Sequence, residues 1–138
     1  VGGGIGYDVV EEIGSKGLRN CVYHGLMDHT QISEFLKGID LHIFPSRSEG
    51  FPKVTLETAA MGVPSIVYSD YGASEWITTG KNGYVVDKID DIEVILKDLQ
   101  QSPWKLNTLA DEAIKLAESF DWRVLIKDWE KVIENLVR

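Results

Sequence analysis

The stretch that most limits the possible folds runs from residue 41 to residue 57. Its first part, residues 41–44, is an apolar run typical of a short buried β-strand. A turn rich in Pro, Ser and Gly follows directly, and residues 54–61 then have the pattern of a helix. A buried strand, a tight turn and a helix in this order form the repeating unit of parallel α/β sheets.

The same alternation continues along most of the chain. Three helices with apolar stripes close the sequence over about residues 90–137. At 138 residues the chain is long enough for one core, so we expect a single Rossmann-like domain over residues 1–138 with a doubly wound parallel sheet. The strands of this α/β fold are predicted at residues 21–23, 41–44, 65–68 and 84–86.

Several side chains are assigned to the core by their position alone. Cys21 begins a predicted strand, His42 lies inside another, and Trp122 and Trp129 belong to the apolar stripe of the last helix. A lone cysteine forms no internal disulfide, which fits a reducing compartment. The sequence therefore favours a structural role for all four side chains.

The composition restricts the possible partners. A formal charge of −8 argues against nucleic-acid binding and against a basic membrane-binding face. No run approaches the roughly 20 apolar residues of a membrane span, and no secretory signal is present. A cytoplasmic location is predicted. Because residues 1–4 read as the end of a strand and its turn, we expect the chain to be a fragment whose first strand is missing.

The chemistry points to the turn between the strand and the helix. Glu49 lies on the loop at the carboxyl end of the strand, where open α/β sheets bind ligands. The amides of Gly50, Phe51 and Lys53 lie where a helix leaves its first N–H groups unpaired, which suits a phosphate. Glu57, one to two turns into the helix, could accept paired hydrogen bonds from a diol such as a ribose.

Other kinds of site fit the sequence poorly. Gly80-Lys81 is followed by Asn82 rather than by Ser or Thr, so the Walker phosphate loop fails. The histidines and the cysteine have no zinc-site spacing, and a Gly-x-Ser-x-Gly elbow is absent. A glycosidase pair would have to flank the scissile bond, whereas Glu57 in a helix behind a phosphate-binding turn is better placed to hold a ribose. No metal site is predicted.

Pro45-Ser46, Glu49-Gly50-Phe51 and Glu57 together carry a family resemblance. In order and spacing they resemble the C-terminal, nucleotide-sugar-binding domain of retaining glycosyltransferases of the GT-B fold, family four. The resemblance covers almost the whole chain, through further similar segments at residues 1–4, 22–25, 59–64 and 80–86. The chain departs from the family where a glycine pair is usual, because its single Gly72 is followed by Ala73.

The resemblance implies a role for each part of the motif. It gives Glu57 to the ribose of the donor, and it gives Glu49, as the catalytic residue, to the transferred sugar. The donor sugar and diphosphate would contact Glu49, Gly50, Phe51, Pro52 and Lys53. The nucleotide base would pack against the loop formed by Tyr23, His24, Gly25, Leu26 and Met27.

The implied activity is retaining transfer of a sugar from a UDP-, GDP- or ADP-sugar to a lipid, glycan or small molecule, without a metal or other cofactor. Such enzymes serve polysaccharide or glycoconjugate biosynthesis, often at the cytoplasmic membrane face. An upstream Arg and Lys that stabilise the departing diphosphate, and the N-terminal acceptor domain, are absent from the chain. The isolated fragment is therefore expected to bind a donor weakly and to catalyse nothing.

Two alternatives remain open from the sequence. A non-hydrolysing sugar-nucleotide epimerase has the same fold, and a sugar-nucleotide epimerization assay on the complete protein separates it from a transferase. A catalytically inactive binding or scaffold module is the other alternative. The intact pair of Glu49 and Glu57 argues against the inactive module.

Overall fold

The computed structural model describes residues 6–136 of the chain. The glycine-rich turn predicted at residues 1–4 lies outside the described residues. The chain divides into two compact units, Val1–Gly38 and Ile39–Arg138. The prediction of one domain over residues 1–138 stays a prediction.

Within the described residues, the first unit contains two helices, α1 (Gly6–Ser15) and α2 (His29–Leu36). Asp28 is the N-cap residue of α2. Its carboxylate accepts the Gln31 N–H at 2.8 Å, and the Gln31 side chain accepts the Asp28 N–H at 2.9 Å. This reciprocal pair satisfies amide donors at the start of the helix, which fixes where α2 begins.

The strand predicted at residues 21–23 is not formed, and this prediction is wrong. The segment between α1 and α2 contains neither helix nor strand, and Cys21 is exposed rather than in the core. The Val22 side chain is 72% exposed. An apolar run this short forms a strand only where a neighbouring strand pairs with it, and within the described residues none pairs with this segment.

The second unit is built on a parallel sheet of β1 (His42–Phe44), β2 (Ser65–Tyr68) and β3 (Gly83–Val86), in that order. Ile43 lies opposite Ile66, and Ile66 lies opposite Tyr84. All four residues of the central strand β2 are buried, as its apolar run predicts. The prediction of an α/β fold with a parallel sheet is confirmed.

The remaining elements of the second unit flank this sheet. Helix α3 (Lys53–Ala60) connects β1 to β2 and packs against the helix of residues 104–119. Two 3-10 turns, Ser69–Tyr71 and Ala73–Glu75, follow β2. The three closing helices are α4 (Ile89–Gln101), α5 (Trp104–Ser119) and α6 (Trp122–Leu136).

The core of the second unit lies on both sides of β2. Ile66 belongs to a cluster that includes Ile92 and Leu99 of α4 and Leu109 of α5. Val67, whose side chain points to the opposite face of the strand, belongs to a smaller cluster with residues of the 3-10 turns. The predicted apolar stripes of α4 and α5 therefore supply core residues.

The apolar stripe of α6 is not buried, which corrects the prediction that its tryptophans are core residues. Trp122 is 64% exposed and Trp129 is 57% exposed. No residue of α6 is buried within the described part of the chain. An amphipathic pattern determines which face of a helix is apolar, but it does not supply the surface that covers that face.

Among the described helices, none is long and apolar enough to cross a membrane.

Candidate functional site

The loop of residues 45–52 leads from the carboxyl end of β1 to the start of α3. The Ser46 hydroxyl donates a hydrogen bond to Glu49 Oε1 at 2.5 Å. Glu49 is half-buried, whereas the next residue, Gly50, is exposed. The loop therefore fixes one carboxylate at the edge of the sheet and leaves the adjoining backbone open to solvent.

The start of α3 combines backbone donors with charged side chains. Pro52 is the N-cap residue, and it provides no side-chain acceptor for the first amides of the helix. Lys53 and Glu57 are four residues apart, so they lie on the same face of α3, and both are exposed. Their charged groups are therefore available to a ligand that approaches the helix start.

A buried polar chain lies behind α3. His42 Nδ1 is 3.0 Å from Ser65 Oγ, which is 3.1 Å from Thr58 Oγ1. Thr58 in turn donates to the Thr55 carbonyl oxygen at 3.1 Å. Burial lowers the pKa of His42 to about 4, so the imidazole is neutral at pH 7. These bonds attach the helix to β1 and β2, and the structural role predicted for His42 agrees with its position.

Arg47 connects the loop to the ends of the other two strands. Its Nη1 donates to Asp70 Oδ2 at 3.0 Å, and its Nη2 donates to the Asp87 carbonyl oxygen at 3.4 Å. The guanidinium carbon lies 3.8 Å from the centre of the Tyr68 ring. Sequence reasoning missed Arg47, because its partners are 23 and 40 residues away. The only available signal was that Asp70 and Asp87 follow predicted strands.

An aromatic cluster lies beside the same loop. The Phe51 ring is 4.9 Å from the Trp76 ring and 5.6 Å from the Phe120 ring, and Tyr71 stacks on Trp76 at 6.2 Å. The Tyr71 hydroxyl and the Trp76 Nε1 are buried without a hydrogen-bond partner among the described residues. Burial raises the pKa of Tyr71, and the negative charge of the nearby Glu49 raises it further. The contacts of the Phe51 ring with Trp76 and Phe120 attach this end of the loop to the aromatic cluster.

The residues predicted to contact the base lie in the first unit, apart in sequence from the loop and α3. Gly25 has a φ of 66°, a left-handed conformation that favours glycine. Leu26 is 78% exposed, and the His24 ring lies 4.8 Å from the Phe35 ring of α2. Tyr23 is half-buried, and so is the last of these residues, Met27. The contacts of these five residues with a base stay a prediction.

Within the part of the chain that the structure describes, no three His, Cys, Asp or Glu side chains gather as a metal ion would require.

The sequence matches a known family. Residues 1–115 match the family model described as glycosyl transferases group 1. The chain belongs to this family. The family resemblance inferred from the motif around Glu49 and Glu57 is therefore confirmed.

One curated relative is the poly(glycerol-phosphate) alpha-glucosyltransferase of Bacillus subtilis (strain 168). It is 29% identical over 133 residues, which are 94% of this chain. The match covers 20% of the relative, so the chain spans about a fifth of the length of that protein.

Two solved structures resemble the fold of this member of the group 1 family. The Anabaena protein HepE in complex with UDP-glucose has a TM-score of 0.74 at 24% identity, covering 94% of this chain and 36% of HepE. The C-terminal domain of the group 1 glycosyl transferase LpcC from Francisella tularensis has a TM-score of 0.69 at 20% identity, covering 82% of this chain and 60% of the LpcC chain. These similarities establish the fold as that of the C-terminal half of a GT-B glycosyltransferase.

Proposed function

We propose that this chain binds the nucleotide-sugar donor of a retaining glycosyltransferase at the start of α3. The observation that carries the proposal is the arrangement of two carboxylates around the first amides of that helix. Glu49 is half-buried in the loop before α3, and Glu57 is exposed within the helix. Membership of the glycosyl transferases group 1 family supports a glycosyl donor as the ligand.

The chemistry of a nucleotide sugar suits each part of this arrangement. Its diphosphate would accept hydrogen bonds from the amides of Gly50, Phe51 and Lys53, near the positive end of the α3 dipole, with the Lys53 side chain adding a positive charge. Glu57 would accept hydrogen bonds from the two ribose hydroxyls. Glu49 would contact the transferred sugar and act as the catalytic residue, and residues 23–27 would contact the base.

UDP is the first nucleotide to test, because the HepE structure contains UDP-glucose. GDP and ADP are the competing donor nucleotides. The whole protein would transfer the sugar with retention to an acceptor bound elsewhere, and the departing diphosphate would need further positive charge to stabilise it. We propose that this chain alone supplies donor binding and no transfer, and that the reaction needs no metal.

The direct test is an amide NMR titration of the chain with UDP, GDP and ADP, repeated for a Glu57→Gln variant. The variant keeps the size of the side chain but removes the charge, so UDP affinity should fall about tenfold, since a hydrogen bond to a charged group contributes about 1.5–3 kcal/mol. Glu93→Gln on α4 is the matched control, because Glu93 is also an exposed helical carboxylate. The UDP affinity of Glu93→Gln should equal that of the wild type.

The titration also identifies the site. Saturable shifts at Gly50, Phe51 and Lys53, at Glu57 and at residues 23–27 would support the proposal, and the nucleotide that binds most tightly would identify the base. Equal affinities of the wild type and Glu57→Gln would contradict the role given to Glu57. Absence of saturable binding of all three nucleotides would favour a module that has lost donor binding.

A further inference from the structure

We propose that Arg47 is a positioning residue that holds Glu49 in the orientation required for donor binding. Arg47 lies two residues before Glu49 and directly after Ser46, the side chain that donates to the Glu49 carboxylate. The inference about donor binding rests on the proposed function. The inference that Arg47 orders the loop of residues 45–52 rests on the contacts of Arg47 and not on the proposed function.

Arg47 links the loop to every strand of the described sheet. Arg47 lies in the loop that follows β1, the Tyr68 ring under its guanidinium ends β2, and its acceptor at Asp87 directly follows β3. Asp70, in the 3-10 turn after β2, accepts the remaining hydrogen bond at 3.0 Å. Within the described residues, no other side chain of the loop makes polar contacts that far along the sequence.

The segments that accept the hydrogen bonds of Arg47 are bonded to each other. The Ser69 hydroxyl donates to Asp87 Oδ1 at 2.6 Å, which ties the end of β2 to the end of β3. Arg47 therefore binds to two segments that are already connected to each other. An isolated exposed ion pair contributes little, but a planar guanidinium that donates twice and stacks on a ring is constrained in orientation as well as in distance.

The other end of the loop is held by separate contacts. Phe51 is anchored by its ring contacts with Trp76 and Phe120. Glu49 thus lies between an anchor at Arg47 and an anchor at Phe51, and nothing lies within 4 Å of a Cβ built on the intervening Gly50. Removing the Arg47 anchor should release Glu49 and leave the Phe51 end in place.

The experiment compares Arg47→Met, Arg47→Lys and the wild type. Met keeps the apolar stem and removes every polar contact. Lys keeps a charge for Asp70 but lacks the planar fork that stacks on Tyr68 and donates a second time. The matched control is Arg123→Met, which changes the net charge equally at a residue whose side chain is 90% exposed at the start of α6.

The first measurement is the backbone ¹⁵N order parameter of residues 48–51 without ligand. Arg47→Met should lower it at residues 48–50 and leave residues 54–60 of α3 unchanged, with Arg47→Lys intermediate. The second is UDP affinity, which should fall about fivefold in Arg47→Met, a loss consistent with one surface ion pair and one cation–π contact.

Unchanged order at residues 48–50, or the same change in Arg123→Met, would overturn the inference. A uniform loss of order throughout the second unit, with a lower free energy of unfolding in urea, would also overturn it, because Arg47 would then support the fold in general. If the wild type binds neither UDP, GDP nor ADP, the proposed function fails, and the order parameters alone decide the role of Arg47.

Discussion

Protonation of His42 should destabilise the second unit at acidic pH. Burial lowers the pKa of this imidazole from 6.5 to about 4 in the folded protein, whereas the unfolded chain should titrate near the ordinary value of about 6.5. As the pH falls, the unfolded state takes up the proton first. The stabilisation is therefore present above about pH 6.5 and is lost progressively as the pH falls towards about 4.

The difference between the two pKa values sets the size of the effect. At about 1.4 kcal/mol per tenfold change, it corresponds to an upper limit of about 3 kcal/mol. About 2 kcal/mol of this should be lost between about pH 7 and pH 4.5. Since single domains are stable by only about 5–15 kcal/mol, the loss is a substantial fraction of the total.

Urea unfolding at the two pH values, for the wild type and for His42→Asn, measures this loss. Asn places an amide near the position of Nδ1, so it keeps a polar partner for Ser65 Oγ but does not titrate. The carboxylates titrate in both proteins, and their contribution cancels in the comparison. The wild type should lose about 2 kcal/mol more than the variant. Equal losses, or an NMR titration that places the pKa of His42 near 6.5, would refute the reasoning.

Two further substitutions test the packing of the sheet and of the aromatic cluster. Gly83→Ala should lower the free energy of unfolding by about 1–3 kcal/mol, because a Cβ at this position would lie 2.6 Å from the Ser65 carbonyl oxygen. An unchanged free energy of unfolding in urea would show that β2 and β3 move apart at little cost. Tyr71→Phe should raise the free energy of unfolding by about 1 kcal/mol, because it removes a buried hydroxyl that has no partner among the described residues. A clear loss of stability in Tyr71→Phe would mean that the hydroxyl is bonded in solution.

Local sequence signals predicted the elements that depend on their own residues. The strand at residues 65–68 was predicted residue for residue, because a continuous apolar run follows Pro64 and ends at polar residues. The cap of α2 is equally local, because Asp28 accepts the N–H of Gln31 only three residues away. The start of α4 is local as well, since Lys88 is its N-cap residue and Asp91 accepts the Lys88 N–H at 3.2 Å.

The wrong predictions share a physical cause. An apolar residue such as Cys21 or Trp129 is buried only where another surface covers it, and the residues of one segment do not determine that surface. The same limit applies to the site. The positions of Glu49 and Glu57 follow from a strand, a turn and a helix in succession, whereas the partners of Arg47 depend on which strands become neighbours.

The contacts of Arg47 and those of His42 act on the site in different ways, and the two sets of variants distinguish them. The His42 chain lies behind α3 and holds the helix against the sheet, so its loss should appear in the unfolding free energy. Arg47 holds the exposed loop in front of the helix, so its loss should appear in the order of residues 48–50 and in donor affinity. A loop that is already ordered before binding loses less conformational entropy when the ligand arrives. If both sets of variants changed only the unfolding free energy, the loop would not be held in advance for the donor, and Glu49 would have to be oriented by the ligand itself.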